Sequence, residues 1–282
     1  MGRIDLHIHT TASDGTLTPE EVAARAKELG LTAIAVTDHD TVAGAAAGVA
    51  AGAALGLEVI PGIEISADFR GREVHILGYF IDPEDPALRP VLDWVVRDRD
   101  RRNEQIAANL ARDGYPVSLA DLRRENPDAV IGRPHFARAL VAGGCAESVK
   151  DAFDRFLGEG APYFLPRTYL PLRQAVDAIR KAGGAAALAH PLWWGFEDGF
   201  LRDLIAAVKD AGVIALEARY STYSPEQTAY AEALAAEYGL LPTGGSDFHG
   251  AAKPDIQLGT GRGDLDVPEA WLEALKARHL RA

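Results

Sequence analysis

Seven of the eight histidines in this chain of 282 residues lie in or just after short apolar runs typical of strands, or in short polar segments, and several have a carboxylate nearby. The seven are His7, His9, His39, His75, His135, His190 and His249, and the nearby carboxylates are Asp14, Asp38, Asp40, Glu64 and Asp247. Imidazole nitrogen and carboxylate oxygen suit Zn²⁺, Mn²⁺ or Fe²⁺. Taken together, the pattern predicts a site for several metal ions.

Spacing within the pairs supports a shared site. His7 and His9 are two residues apart on a predicted strand, so both side chains point to the same face. Asp247 and His249 have the same spacing, although Gly244 and Gly245 before them loosen the geometry. One such pair alone is weak evidence, because most isolated histidines have structural roles. The complete set carries the prediction.

Composition limits the partners of such a site. The chain has 29 Lys and Arg against 41 Asp and Glu, a formal charge of -12, which argues against binding of duplex nucleic acid or an anionic membrane. An anionic substrate would need a local cationic device. The single cysteine, Cys145, excludes an intramolecular disulfide and a multi-cysteine zinc site, and we expect it to be a small packing residue.

The N-terminal sequence and the apolar runs suggest where the protein resides. The segment Arg3 to His7 follows no basic-then-apolar leader, and no span of 18 large apolar residues is present. Hydrophobic residues make up 48% of the chain and charged residues 25%, as in ordinary soluble proteins. We therefore expect a cytoplasmic protein; the oligomeric state stays open.

Strand-like and helix-like segments alternate over most of the chain. The strand-like runs are 4–6, 33–36, 58–66, 73–80, 185–189, 213–217 and 240–243, and the helix-like runs begin near residues 18, 42, 172, 200, 225 and 268. Thr18 followed by Pro19 is typical of a helix start. Such alternation predicts a mainly parallel sheet, either a (β/α) barrel or a doubly wound sheet, with chemistry at the carboxyl ends of the strands.

Only helices are predicted between Asp82 and Pro166, over 86–113, 119–125, 134–141 and 147–157. We interpret residues 83–165 as a helical insertion that sets substrate specificity, within a barrel made of residues 1–82 and 166–282. The dense charges of 97–102 are expected to form a solvated helix face rather than an RNA groove.

Seven segments of the chain together resemble the signatures of the polymerase-and-histidinol-phosphatase (PHP) domain superfamily. They are Asp5-Leu6-His7-Ile8-His9-Thr10, Ser13-Asp14-Gly15, Thr37-Asp38-His39-Asp40, Pro61-Gly62-Ile63-Glu64, Val74-His75-Ile76-Leu77-Gly78-Tyr79, Ala189-His190-Pro191 and Gly245-Ser246-Asp247-Phe248-His249. The segment Ile131 to Arg138 resembles the TrpH-related phosphoesterases, which include bacterial 3′,5′-nucleoside bisphosphate phosphatases. The resemblance implies a distorted (β/α)₇ barrel with three divalent metal ions.

The resemblance also implies which residues hold each ion. His7, His9, Glu64 and Asp247 would hold the first, and Glu64 would bridge to a second held by His75 and His190. The third would be bound by Asp14, His39 and His249. Many relatives have histidine in place of Asp14, so the oxygen ligand here favours Mn²⁺, with Fe²⁺ or Zn²⁺ as alternatives.

Charge counting favours a phosphate substrate for this ligand set. Three divalent cations against three ligand carboxylates and one hydroxide leave a net charge of about +2, which suits a phosphate monoester dianion. Bound metal lowers the pKa of water from about 15.7 towards 7, which makes water the expected nucleophile. Asp40 or a water molecule would protonate the leaving group. Alternatively Asp38 and Asp40 orient His39, the role that we prefer for Asp38.

Three residues in or after the insertion are candidates for binding a second phosphate. Arg133 and His135 flank Pro134 at a predicted helix start, and Arg167 leads back to the barrel. The alternative is that these arginines pair with acidic neighbours. Trp193 and Trp194 are equally compatible with a base-stacking wall and with packing at the barrel edge.

The leading functional hypothesis is a metal-dependent phosphatase that removes the 3′-phosphate of a 3′,5′-bisphosphonucleotide, with 5′-to-3′ trimming of short RNA as a related activity. Hydrolysis of histidinol phosphate is the alternative enzymatic reading. A non-catalytic PHP module and an amidohydrolase are the other classes considered. The first is disfavoured because every ligand position is filled, and the second because three ions and nearby arginines suit phosphate better.

Overall fold

A computed structural model describes residues 3–281 of the chain. Its strands form one sheet in the order β1-β2-β3-β4-β6-β7-β8, with the short β5 beside β3. The strand bounds are β1 Arg3–Ile8, β2 Leu31–Val36, β3 Glu58–Phe69, β4 Arg72–Tyr79, β5 Leu170–Pro171, β6 Ala185–Leu188, β7 Ala215–Tyr220 and β8 Leu241–Gly245.

The first and last strands approach each other and nearly close the sheet. The Asp247 amide donates to the His7 carbonyl at 2.8 Å, and the His9 amide donates to the Phe248 carbonyl at 2.9 Å. The result is a mixed α/β fold with a barrel-shaped sheet, which confirms the predicted fold class.

Helices alternate with most of the strands, and the segment between β4 and β5 contains helices alone among its regular elements. Their bounds are α1 Pro19–Glu28, α2 Ala43–Leu55, α3 Arg89–Arg112, α4 Leu119–Glu125, α5 Arg133–Ala142, α6 Val149–Ala152, α7 Leu172–Lys181, α8 Asp198–Ala211, α9 Pro225–Tyr238 and α10 Glu269–His279. Within residues 3–281, no helix is both long enough and apolar enough to cross a membrane.

Strand β4 interrupts the parallel arrangement. It pairs antiparallel with β3 and with β6, whereas β1, β2 and β3 pair in parallel, as do β6, β7 and β8. Only Arg70 and Gly71 separate β3 from β4, and two residues are too few for the crossover that a parallel pair requires. Both have positive φ, 53° and 78°, which makes the tight turn.

The first two helices show why the predicted elements form. The Thr18 hydroxyl accepts from the Glu21 amide at 3.2 Å, and a Glu21 carboxylate oxygen accepts from the Thr18 amide at 2.8 Å, which confirms the predicted helix start. Helix α2 packs closely on β3, because a Cβ on Gly52 would lie 2.4 Å from a Val59 methyl. This approach explains the Ala- and Gly-rich sequence of α2.

The segment from α3 to α6 has its own hydrophobic core, which includes Ile106, Leu110, Phe136, Leu140 and Phe156. Cys145 is partly buried against this cluster. The helix predicted over 147–157 is two pieces, α6 and a π-helical turn, Phe153–Leu157. The division of the chain at residues 83 and 165 stays a prediction.

Candidate metal centre

Strand ends and the loops that follow them bring the nine predicted ligands into one buried cluster. His7 lies in β1, Glu64 in β3 and His75 in β4, while the other ligands follow strands. The others are His9 and Asp14 after β1, His39 after β2, His190 after β6, and Asp247 and His249 after β8. Residues far apart in sequence therefore share one end of the barrel.

Glu64 lies at the centre of this cluster and is fully buried. One oxygen, Oε2, lies 3.3 Å from Nε2 of both His7 and His9 and 2.9 Å from Nδ1 of His39. The other, Oε1, lies 2.8 Å from His75 Nδ1 and 3.0 Å from His190 Nε2. A carboxylate with imidazoles on both oxygens is arranged to bridge two ions.

Two further carboxylates complete the cluster. Asp14 Oδ1 lies 3.2 Å from His249 Nε2, and Asp247 Oδ1 lies 3.2 Å from His9 Nε2. The second oxygen of Asp247 accepts hydrogen bonds from Tyr220 Oη and Lys253 Nζ, each at 2.6 Å. Oδ1 of Asp247 thus faces the imidazoles, while hydrogen bonds from Tyr220 and Lys253 fix Oδ2.

These residues form four groups whose candidate ligand atoms lie within 4.8 Å of one another. The groups are His7, His9 and Asp247; His7, Glu64 and His190; His39, Glu64 and His75; and His9, Asp14, His39 and His249. The first and last resemble the predicted first and third ion sites. His75 and His190 fall in separate groups that share Glu64, so the assignment of ligands to individual ions stays a prediction.

The donor atoms fit divalent cations. Several are buried without a hydrogen-bond partner: His7 Nε2, His9 Nε2, Asp14 Oδ1, His39 Nδ1 and Glu64 Oε2. Leaving buried polar atoms unpaired is costly, and oxygen and nitrogen donors converging at this spacing are what a transition metal binds. The chemistry and spacing of its donors therefore fit the cluster to hold metal ions.

Mutual attraction inside the cluster shifts several pKa values. Burial alone raises the pKa of Glu64, but the His39 and His75 imidazoles hold it well below its usual value. Burial alone lowers the pKa of His9, yet Asp247 and Glu64 raise it to about 9. The Glu64 carboxylate and the imidazoles beside it thus favour each other's charged forms, and a divalent cation bound there would compete with the imidazole protons.

Glu217 is a supporting residue that the sequence reasoning missed. It ends the predicted strand 213–217 and is fully buried. Its Oε1 lies 3.0 Å from His7 Nδ1, and its Oε2 accepts from the His190 amide at 2.7 Å. The signal was present, since a carboxylate at a strand end matched the pattern used for the other ligands.

The loops that follow β1 and β2 are fixed by Asp38 rather than left free. Asp38 accepts from the Thr10 amide at 2.7 Å, the Thr10 hydroxyl at 2.7 Å and the Ser13 hydroxyl at 2.6 Å. Asp38 was predicted to orient His39, and that prediction is wrong. Both Asp38 oxygens instead accept hydrogen bonds from the segment that leads from His9 to Asp14.

Three non-glycine residues at the site have positive φ: Asp40 at 55°, His190 at 25° and Asp247 at 56°. Such backbone conformations are strained for residues with a Cβ and tend to occur at functional sites. Gly245 is required for a steric reason instead, because a Cβ there would lie 2.4 Å from the His7 amide nitrogen. Close contact between β8 and β1 requires glycine at this position.

A cavity of about 720 Å³ opens over the cluster. The metal-centre residues that line it are Asp14, His39, His75 and His249, and its cationic lining residues are Arg99, Arg102, Arg133, Arg138, Lys150, Arg167 and Lys253. Among the described residues of this lining, the carboxylates are Asp14, Glu73 and Asp255. A chain with a formal charge of -12 therefore surrounds this cavity with cations.

The cavity lining corrects the prediction for residues 97–102. Arg102 is 7% exposed and Asp98 is buried, while Arg99 and Arg102 line the cavity rather than a solvated face. Arg97 and Arg101 are the exposed members of this group, and the Arg101 side chain is 76% exposed. Charge density alone could not show that α3 lies against the barrel mouth with one charged side inward.

Asp40, predicted as a general acid, is fully buried between two of these arginines. Its Oδ2 accepts from Arg99 Nε at 2.9 Å and from Arg167 Nη2 at 3.2 Å. Burial alone raises the pKa of Asp40, but Arg99 and Arg167 lower it to about 2. An acid of this strength carries no proton at neutral pH, so the structure does not favour Asp40 as a general acid.

The predicted substrate-binding residues lie in different places. Arg133 and Arg167 line the cavity, whereas His135 is 2% exposed and lies outside its lining. His135 Nδ1 accepts from the Gly132 amide at 3.1 Å at the start of α5, which is a local structural role. Arg133 and Arg167 are brought to one cavity, and His135 is not.

The two tryptophans form the aromatic side of the cavity. Both line it, and Trp193 is 53% exposed. Their rings lie 4.7 Å apart, and the Trp194 ring lies 5.2 Å from the ring of His75. Trp193 is thus too exposed to serve only as packing at the barrel edge.

Comparison with known proteins places this geometry in a family. Residues 5–157 match the PHP domain family. The chain is 37% identical over 257 residues to the 5′-3′ exoribonuclease Rnm of Escherichia coli, covering 90% of this chain and 87% of that protein. It is 34% identical over 287 residues to the 3′,5′-nucleoside bisphosphate phosphatase of Chromobacterium violaceum, covering 100% and 99%.

Solved structures agree. A protein from Bifidobacterium adolescentis described as a metal-dependent phosphoesterase superposes with a TM-score of 0.88 at 31% identity, covering 98% of this chain and 96% of that one. A Chromobacterium violaceum protein, described as an amidohydrolase with bound sulfate and no metal, gives a TM-score of 0.87 at 33% identity, covering 98% and 97%. The chain therefore belongs to the PHP domain family and is a metal-dependent phosphoesterase.

Proposed function

We propose that this phosphoesterase removes the 3′-phosphate from 3′,5′-bisphosphonucleotides and, in a related reaction, trims short 5′-phosphorylated RNA by hydrolysing its first phosphodiester bond, which releases a nucleoside 5′-monophosphate. One observation carries the proposal: a single cavity is lined by metal-binding groups, by several guanidinium groups and by an exposed indole. A 3′,5′-bisphosphonucleotide has a matching group for each of these: one phosphate for the metal-binding groups, the other phosphate for the guanidiniums, and the nucleobase for the indole.

The metal centre would act on the phosphate that is hydrolysed. Divalent cations in this cluster would activate water and stabilise negative charge on the phosphoryl oxygens and the leaving oxygen. Nine residues would hold them, with three ions, preferably Mn²⁺, as the expected content: His7, His9, Asp14, His39, Glu64, His75, His190, Asp247 and His249.

The chain's own cations would bind the phosphate that is retained. Arg133 begins α5 with its guanidinium 5.3 Å from the centre of the Phe164 ring, and Arg167 lies 4.7 Å from that of Tyr169. Aromatic faces that hold a guanidinium by its plane leave N–H groups at its edge for a ligand. Because residues 83–165 supply Arg133, we propose that this helical segment sets specificity.

Exposed Trp193 would stack on the nucleobase. Base-aromatic stacking is worth about 1–3 kcal/mol and tolerates any base, which suits an enzyme that meets many nucleotides. The relatives support the same chemistry, since one is named a bisphosphate phosphatase and another an exoribonuclease, and a neighbouring structure holds sulfate, an analogue of phosphate.

The alternatives fit the cavity less well. Histidinol phosphate has one phosphate and a cationic amine, and several guanidiniums would repel that amine. A non-catalytic role is disfavoured because all nine ligand residues are present and clustered. Duplex nucleic acid is not an expected partner, because the cationic groups line a cavity rather than a broad surface.

A phosphate-release assay with Mn²⁺-loaded protein tests the proposal. The substrates are adenosine 3′,5′-bisphosphate, adenosine 3′- and 5′-monophosphates and histidinol phosphate. A short RNA with a 5′-phosphate is followed by release of nucleoside 5′-monophosphate instead, because cleavage of a phosphodiester liberates no inorganic phosphate. We expect the bisphosphate to have the highest kcat/KM and to yield adenosine 5′-monophosphate. Faster turnover of histidinol phosphate, or release of the 5′-phosphate first, would contradict the proposal.

A further inference from the structure

Asp40 joins two arginines that come from separate parts of the chain. Arg99 belongs to α3, and Arg167 lies in the segment before β5, yet both guanidiniums donate to Oδ2 of Asp40. The other oxygen, Oδ1, accepts from the Ser66 amide of β3 at 2.9 Å. The carboxylate is therefore fixed to the barrel wall, and the arginines are fixed to the carboxylate.

Arg167 has donors that this pairing does not use. Its side chain is 3% exposed, and its Nε and Nη1 are buried without a hydrogen-bond partner. The residue lines the cavity. A guanidinium that is almost fully buried with two unsatisfied nitrogens is costly unless a ligand accepts from them, and an anion is the acceptor that would gain most.

Positive charge around Asp40 exceeds the negative charge that faces it. Arg102 and Arg133 line the same cavity, and Arg102 Nε is also buried without a partner. The negative charge nearby is that of Glu73, which also lines the cavity. Glu73 already has other partners, because its carboxylate lies 3.2 Å from His75 Nε2 and accepts from the Tyr169 hydroxyl.

Repulsion within this arginine group is visible in Arg102. Burial, together with the guanidiniums of Arg99 and Arg167, lowers the pKa of Arg102 to about 9. The single carboxylate of Asp40 balances only part of the positive charge of Arg99, Arg102 and Arg167, and a bound anion would balance more of it.

We propose that Asp40 is a positioning residue that holds Arg99 and Arg167 together as a receptor for the substrate phosphate that is not hydrolysed, with Arg102 completing it. This inference rests on the proposed function, in which that group is the 5′-phosphate. Asp40 itself touches no substrate. Its charge sets the orientation of two side chains that would otherwise repel each other.

The ratio of kcat/KM for adenosine 3′,5′-bisphosphate to kcat/KM for adenosine 3′-monophosphate measures the receptor directly. Both substrates present the same 3′-phosphate to the same metals, and only the first has the second phosphate. We expect Asp40→Asn, Arg99→Lys and Arg167→Lys each to lower this ratio by about 10- to 100-fold, chiefly through KM of the bisphosphate.

Coupling between variants separates positioning from general damage. If Asp40 acts through Arg99, the double variant Asp40→Asn/Arg99→Lys should lower the ratio about as far as the more severe single variant. Arg101→Gln is the matched control, because Arg101 neighbours Arg102 on α3 but its side chain is 76% exposed. It should leave both kcat/KM values unchanged.

Each other outcome counts against a definite part of the inference. An unchanged ratio in both lysine variants overturns the phosphate receptor, and an unchanged ratio in Asp40→Asn alone overturns positioning by Asp40. If Asp40→Asn fails to fold, the lysine variants still decide the phosphate receptor, and Asp40→Glu, which displaces the carboxylate by one methylene, tests positioning in its place. A wild-type protein with a ratio near one overturns the proposed function together with the inference, and this is seen before any variant is made.

Discussion

His7 Nδ1 lies 3.0 Å from Glu217 Oε1, and both side chains are fully buried. This contact leaves the opposite nitrogen, His7 Nε2, facing Glu64 and Asp247. The other Glu217 oxygen accepts from the His190 amide, so one carboxylate orients groups after β6 and in β1. A histidine that binds a metal is commonly oriented in this way by a carboxylate behind it.

Replacing Glu217 tests that relationship. Glu217→Gln keeps the size of the side chain but removes its charge, so we expect Mn²⁺ affinity to fall about 10- to 100-fold while the fold is retained. Mn²⁺ titration followed by phosphatase activity and by calorimetry measures the change. Glu237→Gln, on the exposed side of α9, is the control, and equal affinities in both variants would exclude an orienting role.

Removing the metal should abolish turnover and lower thermal stability. Chelation leaves carboxylates and imidazoles buried together, whereas added Mn²⁺ binds the folded state and stabilises it by mass action. We expect Tm to rise with Mn²⁺ concentration and activity to return. His9→Ala should lose turnover with the fold intact and show a smaller Mn²⁺-dependent rise in Tm. Full activity after exhaustive chelation would contradict the metal centre.

Arg133→Ala should weaken the binding of doubly phosphorylated substrates. The guanidinium lines the cavity at the start of α5, so its loss should raise KM for adenosine 3′,5′-bisphosphate about tenfold while kcat changes little. The preference for bisphosphates over monophosphates should narrow. Steady-state kinetics with both substrates decides, and unchanged kinetics would refute a role for Arg133 in binding.

Trp193→Ala tests the base-stacking wall. The substrates are adenosine 3′,5′-bisphosphate and the corresponding abasic ribose bisphosphate, which differ only in the nucleobase. We expect kcat/KM for the nucleotide to fall about 5- to 150-fold, because stacking of one base is worth about 1–3 kcal/mol, with little change for the abasic compound. Trp193→Phe should recover part of the loss. Equal losses with both compounds would argue against stacking.

Because His135 is buried, we expect the free energy of unfolding of the wild type and of a His135 variant to depend differently on pH. Burial, together with the nearby Arg138, lowers the pKa of His135 to about 4, so the folded protein keeps the imidazole neutral while the unfolded chain protonates it below about pH 6.5. Wild-type stability should therefore decrease as the pH falls from 6.5 to 4. His135→Gln keeps an acceptor for the Gly132 amide but cannot titrate.

The free energy of unfolding measures that difference. Denaturant titrations of both proteins after chelation, at pH 7 and pH 4.5, should show the wild type losing about 2 kcal/mol more than His135→Gln. Chelation removes the contribution of metal loss at low pH. Parallel pH profiles would show that His135 titrates alike in the folded and unfolded chains.

The sequence by itself determined the fold class and the kind of site. Some features depend only on residues close together in the sequence, so they could be recognised along the chain. They are the strand periodicity, helix starts such as Thr18, and the seven histidine-containing or acidic segments. The PHP signatures then predicted the ligand residues in order, and the structure brings those residues together. Spacing could not predict that β4 runs antiparallel, because that follows from a two-residue turn rather than from any strand residue.

Only the tertiary structure decided what surrounds the ligands. Glu217 joins His7 across 210 positions of the chain, and Arg99 and Arg167 meet at Asp40 from segments 68 residues apart, because charges pair in space once the barrel and α3 have packed. Asp40, beside His39, is a candidate general acid in the sequence. Buried between two guanidiniums it is an anion, since its environment, and not its residue type, sets its pKa.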